Sequence, residues 1–234
     1  MPRTGALVPW GRGRAARWAY GLASTGVILF VVALVVRLDC VPYGCVGSSA
    51  ERVLNLDEIG GLPRLFTTGL FLATAVVAFR GSRRVTGPAR TWWTLVTLVG
   101  VGLTVAKVLS AHSLAKAAGP MATLVVGVAV TAVTLTVLRV TARRWGVPAG
   151  TPMVWALGWY AVAALGLDLV TGAAATLQGS EGPVAVAVAT FVEELGEALT
   201  ALVVLVTAYT HAPEATVRAP VGPEEPSPLL EPGH

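Results

Sequence analysis

The chain has 234 residues, of which 54% are hydrophobic and only 13% charged, with a mean hydropathy of +0.70. Soluble domains carry about 25% charged residues, so one or two water-soluble domains are excluded for want of charge to cover their surface. The net charge of +4, from 17 Lys plus Arg against 13 Asp plus Glu, could point to nucleic acid, but the basic residues lie between apolar blocks, which is the pattern of membrane orientation.

Residues 1–17 hold Arg3, Arg12, Arg14 and Arg17 without an acid and read as a basic cytoplasmic N-terminus. The first apolar run, 18–36, is too long for a signal-peptide core and no small-x-small cleavage site follows it. In Arg37-Leu38-Asp39-Cys40 an acid stands where a lipoprotein signal needs a small residue. The run is expected to be a retained helix. After it comes Cys40-Val41-Pro42-Tyr43-Gly44-Cys45, whose Pro and Gly favour a turn bringing the thiols together. A Cys40–Cys45 disulfide is expected. Two free thiols are the alternative, and zinc is the weakest reading because no histidine is near in sequence. Within the connection 37–61, the stretch 50–56 places Val53, Leu54 and Leu56 among Glu51, Arg52 and Asn55. A short helix lying on the membrane surface is expected there.

Five further apolar runs follow at 62–79, 92–111, 121–138, 152–171 and 183–209, each near the ~20 residues that cross a bilayer core as helix. Pro63 suits the first turn of the second span, where a missing N–H is harmless. Lipid offers no partner to an open backbone, and barrel strands would be shorter and alternate apolar with polar. The predicted fold is therefore an all-α polytopic membrane bundle of six transmembrane helices over 18–210, its partner the lipid bilayer. Residues 211–234 hold six prolines and no apolar period, and read as a disordered cytoplasmic tail. No internal repeat is visible.

Orientation follows from arginine. Arg80, Arg83, Arg84 and Arg90 separate spans two and three, and Arg139, Arg143 and Arg144 separate four and five. With the N-terminal arginines they lie on one side of a six-span chain, and the positive-inside rule makes that side cytoplasmic, with both termini. The seven tryptophans, Trp10, Trp18, Trp92, Trp93, Trp145, Trp155 and Trp159, cluster at the same ends, where headgroup-level placement is expected. Arginine over lysine, with abundant Ala, Val and Gly, fits a GC-rich bacterial genome and hence a bacterial plasma membrane.

The acids are distributed in the opposite sense. Outside the tail they are Asp39, Glu51, Asp57, Glu58, Asp168, Glu181, Glu193, Glu194 and Glu197, all in outer loops or in helices. Glu193, ten residues past Pro183, lies ~15 Å along the last span, at the bilayer midplane or in its outer half. A central charged residue costs roughly 2.5–3.5 kcal/mol on insertion scales. Glu193, Glu194 and Glu197 must therefore face other helices, share protons or bind a cation. Glu197 neighbours both others at i+4 and i+3, and Gly196 between them lets a helix approach. Lys107 and His112 at the end of span three, Asp168 in span five, and Arg64 beside Asp57 and Glu58 all belong to the outer half. An outward-opening polar cavity among spans two, three, five and six would collect them. The bland readings are a structural Lys107–glutamate pair, a structural histidine, and solvated interface residues at Asp57, Glu58, Arg64 and Lys116.

Two of these motifs, Leu56-Asp57-Glu58-Ile59-Gly60-Gly61-Leu62-Pro63 and Glu193-Glu194-Leu195-Gly196-Glu197, resemble those of a group of uncharacterised bacterial multi-pass membrane proteins. In that group an acidic segment and a Leu-Pro pair lead into the second span, and Glu-Glu-x-x-Glu marks the last. Such proteins tend to carry a His-Glu pair at the end of the third span. Here Ser110-Ala111-His112-Ser113 keeps the histidine without the acid, which weakens a metal site. No cofactor or metal is expected.

Three functions fit these residues. The first is cation- or proton-coupled transport through the glutamates. The second is a non-catalytic membrane subunit or sensor, in which the glutamates pair with Lys107 or with a membrane protein partner, a second copy included. The third is an intramembrane enzyme acting on a lipid or isoprenoid with carboxylates as acid and base. No nucleophile motif, P-loop or dinucleotide fingerprint is present.

Overall fold

The computed structural model describes residues 10–43, 53–56, 60–109, 120–174 and 182–213. They form six helices: α1 (Trp10–Tyr43), α2 (Leu62–Arg84), α3 (Gly87–Val108), α4 (Pro120–Arg144), α5 (Gly150–Ala174) and α6 (Gly182–His211). No strand occurs among the described residues. Each helix coincides with an apolar run, since such a run must satisfy its backbone within itself. Five of them, over Ala16–Asp39, Leu62–Arg84, Gly87–Val108, Leu124–Arg144 and Gly150–Ala173, are long and apolar enough to cross a membrane. At 30 residues α6 has the length, and it differs in carrying Glu193, Glu194 and Glu197 in its middle.

Helix α1 runs past the expected end of the first span at Val36, through Cys40 to Tyr43, so the connection to α2 is shorter than the sequence implied. The Cys40 side chain, Cys45, Asp57, Glu58, His112 and the tail from 214 lie outside the described residues, and the expectations placed on them go with them. Tight turns join two helix pairs. Val85 and Thr86 alone separate α2 from α3. At the end of α4, Gly146 takes φ +62° and the Val147 N–H returns to the Ala142 carbonyl at 2.9 Å, a helix end that glycine enters without strain.

The most extensive contacts join α2 to α3 and α5 to α6; α6 also packs on α1 and α2, while α4 leans on α5 and more lightly on α3. Small residues set the closest approach. A Cβ on Gly100 of α3 would come within 3.1 Å of the Ala75 backbone on α2. Buried Phe71, Trp92, Trp93, Val96, Leu138, Met153, Leu157 and Leu205 belong to one apolar core. Trp92 and Trp93 are 0% and 2% exposed, a correction to their expected place at headgroup level. The reason is that the Trp92 Nε1–H donates to the Leu138 carbonyl of α4 at 3.1 Å and so needs no interfacial water. Trp155 and Trp159 are exposed, as an interfacial ring would be.

Trp18 meets Tyr209 edge-on at 5.2 Å, and Arg84 donates to the Pro213 carbonyl at 3.2 Å. The start of α1, the end of α2 and the end of α6 therefore share one end of the bundle. Arg17, Arg80, Arg83, Arg84, Arg90, Arg139, Arg143 and Arg144 are all exposed, and this is called the arginine end below.

Between α1 and α2, Val53 and Leu54 are helical, within the stretch expected as a short helix, but the segment does not lie wholly at the surface. Leu56 is fully buried, packed with Phe30 and Ala33 of α1 and Ala198 of α6, against which Leu54, Phe66, Phe191 and Leu195 also lie. An apolar side chain finds a better fit between two helices than at a wet interface.

Candidate functional site

Helix α6 positions the three glutamates, and α5 packs on it antiparallel along a polar stripe. A Cβ on Gly196 would meet the Leu167 Cδ1 methyl of α5 at 2.7 Å, so Leu167 packs over the bare backbone there. Tyr160, Leu167 and Thr171 fall within about 40° of one another at 100° per residue of helix. Tyr160 and Thr171 present their hydroxyls to α6. The Tyr160 hydroxyl lies 3.4 Å from Glu197 Oε2, and the Thr171 hydroxyl donates to Glu193 Oε2 at 2.5 Å. Tyr160 is held by Phe71 of α2, edge-on at 4.7 Å.

From the other side comes α3. Its last turn carries Lys107, whose Nζ lies 2.5 Å from Glu197 Oε2 and 3.4 and 3.5 Å from the two oxygens of Glu194. The lysine spans the gap between α3 and α6, whose backbones make no close contact. Arg64, in the first turn of α2, donates from Nε to the Lys107 carbonyl at 3.0 Å. Both cations thus sit at the C-terminal end of α3, where free carbonyls concentrate negative potential. Arg64 is within electrostatic reach of Glu194, as Asp168 is of Glu193.

The cluster is buried. Glu193, Glu194 and Glu197 are 8%, 5% and 2% exposed, and Arg64 7%. In such surroundings a pair with one partner removed costs about 3–5 kcal/mol. The neighbouring threonines close their hydroxyls on their own helices: Thr67 and Thr68 of α2 donate to the Pro63 and Arg64 carbonyls, and Thr200 of α6 to the Gly196 carbonyl.

Depth follows from counting along parallel α2 and α6. Arg64 is 20 residues from Arg84, and Glu194 is 19 from Pro213. Both distances are ~30 Å of helix, so the cluster is far from the arginine end. Of the residues singled out in the sequence, the structure gathers Glu193, Glu194, Glu197, Lys107, Arg64 and Asp168 from α2, α3, α5 and α6. Among the described residues no group of three His, Cys, Asp or Glu is arranged to hold a metal ion. Tyr160 and Thr171 were missed. The polar stripe along otherwise apolar α5 was the signal for them.

Leu62-Pro63 opens α2 immediately before Arg64, while Asp57 and Glu58 of the same motif lie outside the described residues. Compared with known protein families, curated proteins and solved structures, the chain matches none.

Proposed function

We propose that the chain crosses a bacterial plasma membrane six times, both termini in the cytoplasm, and couples a movement of protons or cations to its buried acidic cluster. The orientation rests on the exposed arginines at one end, the end that the positive-inside rule assigns to the cytoplasm. With Arg80 at the inner boundary, Arg64 lies 16 residues, or ~24 Å, across a core of ~30 Å. The cluster then occupies the outer third of the membrane.

The observation that carries the function is an imbalance of charge. Three buried carboxylates face Lys107, and among the described residues no cation forms an ion pair with Glu193. Even with Arg64 assigned wholly to the cluster, three buried acids stand against two cations among the described residues. A lone buried charge costs several kcal/mol, so a proton or a cation has to make up the difference, and Glu193 is the residue placed to take it.

Purified protein in vesicles, given a proton or a sodium gradient, is expected to show gradient-driven flux. Glu193→Gln should abolish that flux while the protein remains folded. Wild-type vesicles without flux under either gradient would overturn the reading. The Lys107 bridge favours one alternative, a non-catalytic membrane subunit in which the pair only ties α3 to α6. In that case vesicles show no flux, and the double variant Lys107→Ala with Glu197→Gln restores the stability that Lys107→Ala loses.

A further inference from the structure

We propose that the gap between α3 and the α4–α5 pair is a side entrance from the lipid, through which an amphipathic cation, a positive charge carried on an apolar body, reaches the acidic cluster. This rests on the cation reading above and names the class of substrate that the same site takes.

The gap shows as two helices that meet at one end and separate towards the other. At the arginine end the Trp92 Nε1–H of α3 donates to the Leu138 carbonyl of α4 at 3.1 Å. Trp92, Val99, Leu103 and Ala106 lie within about 60° of one another on α3, at 100° per residue. Along that stripe Trp92 is buried, Val99 and Leu103 are half-buried, and Ala106 is exposed. No residue of α3 from Val101 to Val108 is buried, and none of α4 from Leu124 to Val137. Helix α4 stays on α5, since a Cβ on Gly127 would meet the Leu165 Cδ2 methyl at 3.0 Å. It is α3 that diverges, over the 14 residues from Trp92 to Ala106, or ~21 Å.

The gap ends on the carboxylates. Helices α3 and α5 make no close backbone contact, yet Lys107 from one and Tyr160 from the other reach the same Oε2 of Glu197, at 2.5 and 3.4 Å. Glu193 is one turn farther out on the same stripe of α6, about 40° from Glu197. The walls are apolar. Leu103 of α3, Leu135 of α4 and Ala164 of α5 are half-buried and packed on the core, and the α3 stripe carries no charge between Trp92 and Ala106. A small hydrated ion would lose its water along this route with nothing to replace it. An apolar body passes from lipid into the gap without that cost. Among the described residues the cluster holds an excess of acid, so the charge complementary to it is positive.

The probe is radiolabelled tetraphenylphosphonium, bound to purified protein in nanodiscs. Saturable binding is expected. Tetramethylammonium, charged but without the apolar body, should not displace it, and tetraphenylborate, apolar but negative, should show no saturable binding of its own. Ala106→Trp fills the entrance and Glu193→Gln removes the charge it leads to; each should weaken binding at least about tenfold. Val101→Trp, half a turn round α3 from Trp92, should bind like wild type. No saturable binding of the phosphonium, displacement by tetramethylammonium, saturable binding of the borate, or an equal loss from both tryptophan variants would overturn the side entrance. A second arm needs no variant. A photoreactive aryl-azide analogue of the probe should leave adducts on Val99, Leu103 or Ala106 that excess unlabelled probe suppresses, and none so suppressed on Leu98 or Val101. Suppressible adducts on both faces of α3 count against the entrance. Saturable binding without proton- or sodium-driven flux keeps the entrance and removes the transport reading, while flux without saturable binding does the reverse.

Discussion

The two halves of this bundle solve opposite problems with the same helices. Towards the arginine end the interior is dry: Trp92, Trp93, Leu138 and Met153 fill it, and eight exposed arginines point outward. In the other half the charges are inside, with Glu193, Glu194, Glu197 and Arg64 buried, while Val101, Val105, Val188 and Val192 are exposed. At a membrane boundary an arginine reaches water or headgroups at little cost. Farther in it must find a partner. Moreover, lipid chains are as apolar as leucine, so packing among helices in the arginine half gains mostly from shape, whereas the acidic half depends on pairing charges.

That contrast is broken most severely at Lys107. Lys107→Ala leaves Glu194 and Glu197 buried without the ammonium that lies 3.4 and 2.5 Å from them. A loss of about 3–5 kcal/mol is expected, read as a lower unfolding midpoint of protein in detergent or nanodiscs. Adding Glu197→Gln should recover a large part of it. A Lys107→Ala midpoint within ~1 kcal/mol of wild type would place the bridge among weak surface pairs and end the claim that charge pairing holds this half.

The arginine half and the α2–α3 pair should be sensitive to shape instead. Gly100 faces the Ala75 backbone, with 3.1 Å left for a Cβ, while Gly102 on the same helix has nothing within 4 Å. Gly100→Val is expected to cost about 1–3 kcal/mol by forcing α2 and α3 apart, and Gly102→Val well under 1 kcal/mol. Equal midpoints for the two variants would show that the pair does not depend on close approach. A smaller effect is expected at Trp92→Phe. It keeps a ring in the core but gives up the hydrogen bond to Leu138, for about 1 kcal/mol.

Much of this was legible in the residues, and the reasons are particular. Helix existence and rough extent came from apolar run length, because the bilayer allows little else. The gathering of Lys107, Arg64, Asp168 and the glutamates came from cost: each is too expensive to face lipid, and all fall at similar depth. Three features were hidden. Trp92 and Trp93 look interfacial by position, and only the carbonyl of Leu138, set by how α4 packs, makes burial tolerable. Leu56 looks like one apolar residue on a surface helix, because the seam between α1 and α6 that receives it is a tertiary feature. Tyr160 and Thr171 were visible as a stripe, yet their meaning depends on α5 lying antiparallel to α6 with Leu167 over Gly196.

The smallest expected effect is the one that separates function from fold. Glu193 accepts from the Thr171 hydroxyl at 2.5 Å and has no ion-pair partner among the described residues. In Glu193→Gln the amide oxygen can still accept that hydrogen bond, and a buried charge in need of compensation is gone. The unfolding midpoint should therefore shift by no more than ~0.5 kcal/mol in either direction, far less than for Lys107→Ala. Thr171→Val removes the same hydrogen bond from the other side and should cost about 1–3 kcal/mol, because it leaves a charged acceptor unsatisfied. If Glu193→Gln instead destabilises as much as Lys107→Ala, then Glu193 is a structural member of the ion-pair network, and the imbalance on which proton or cation coupling rests is absent.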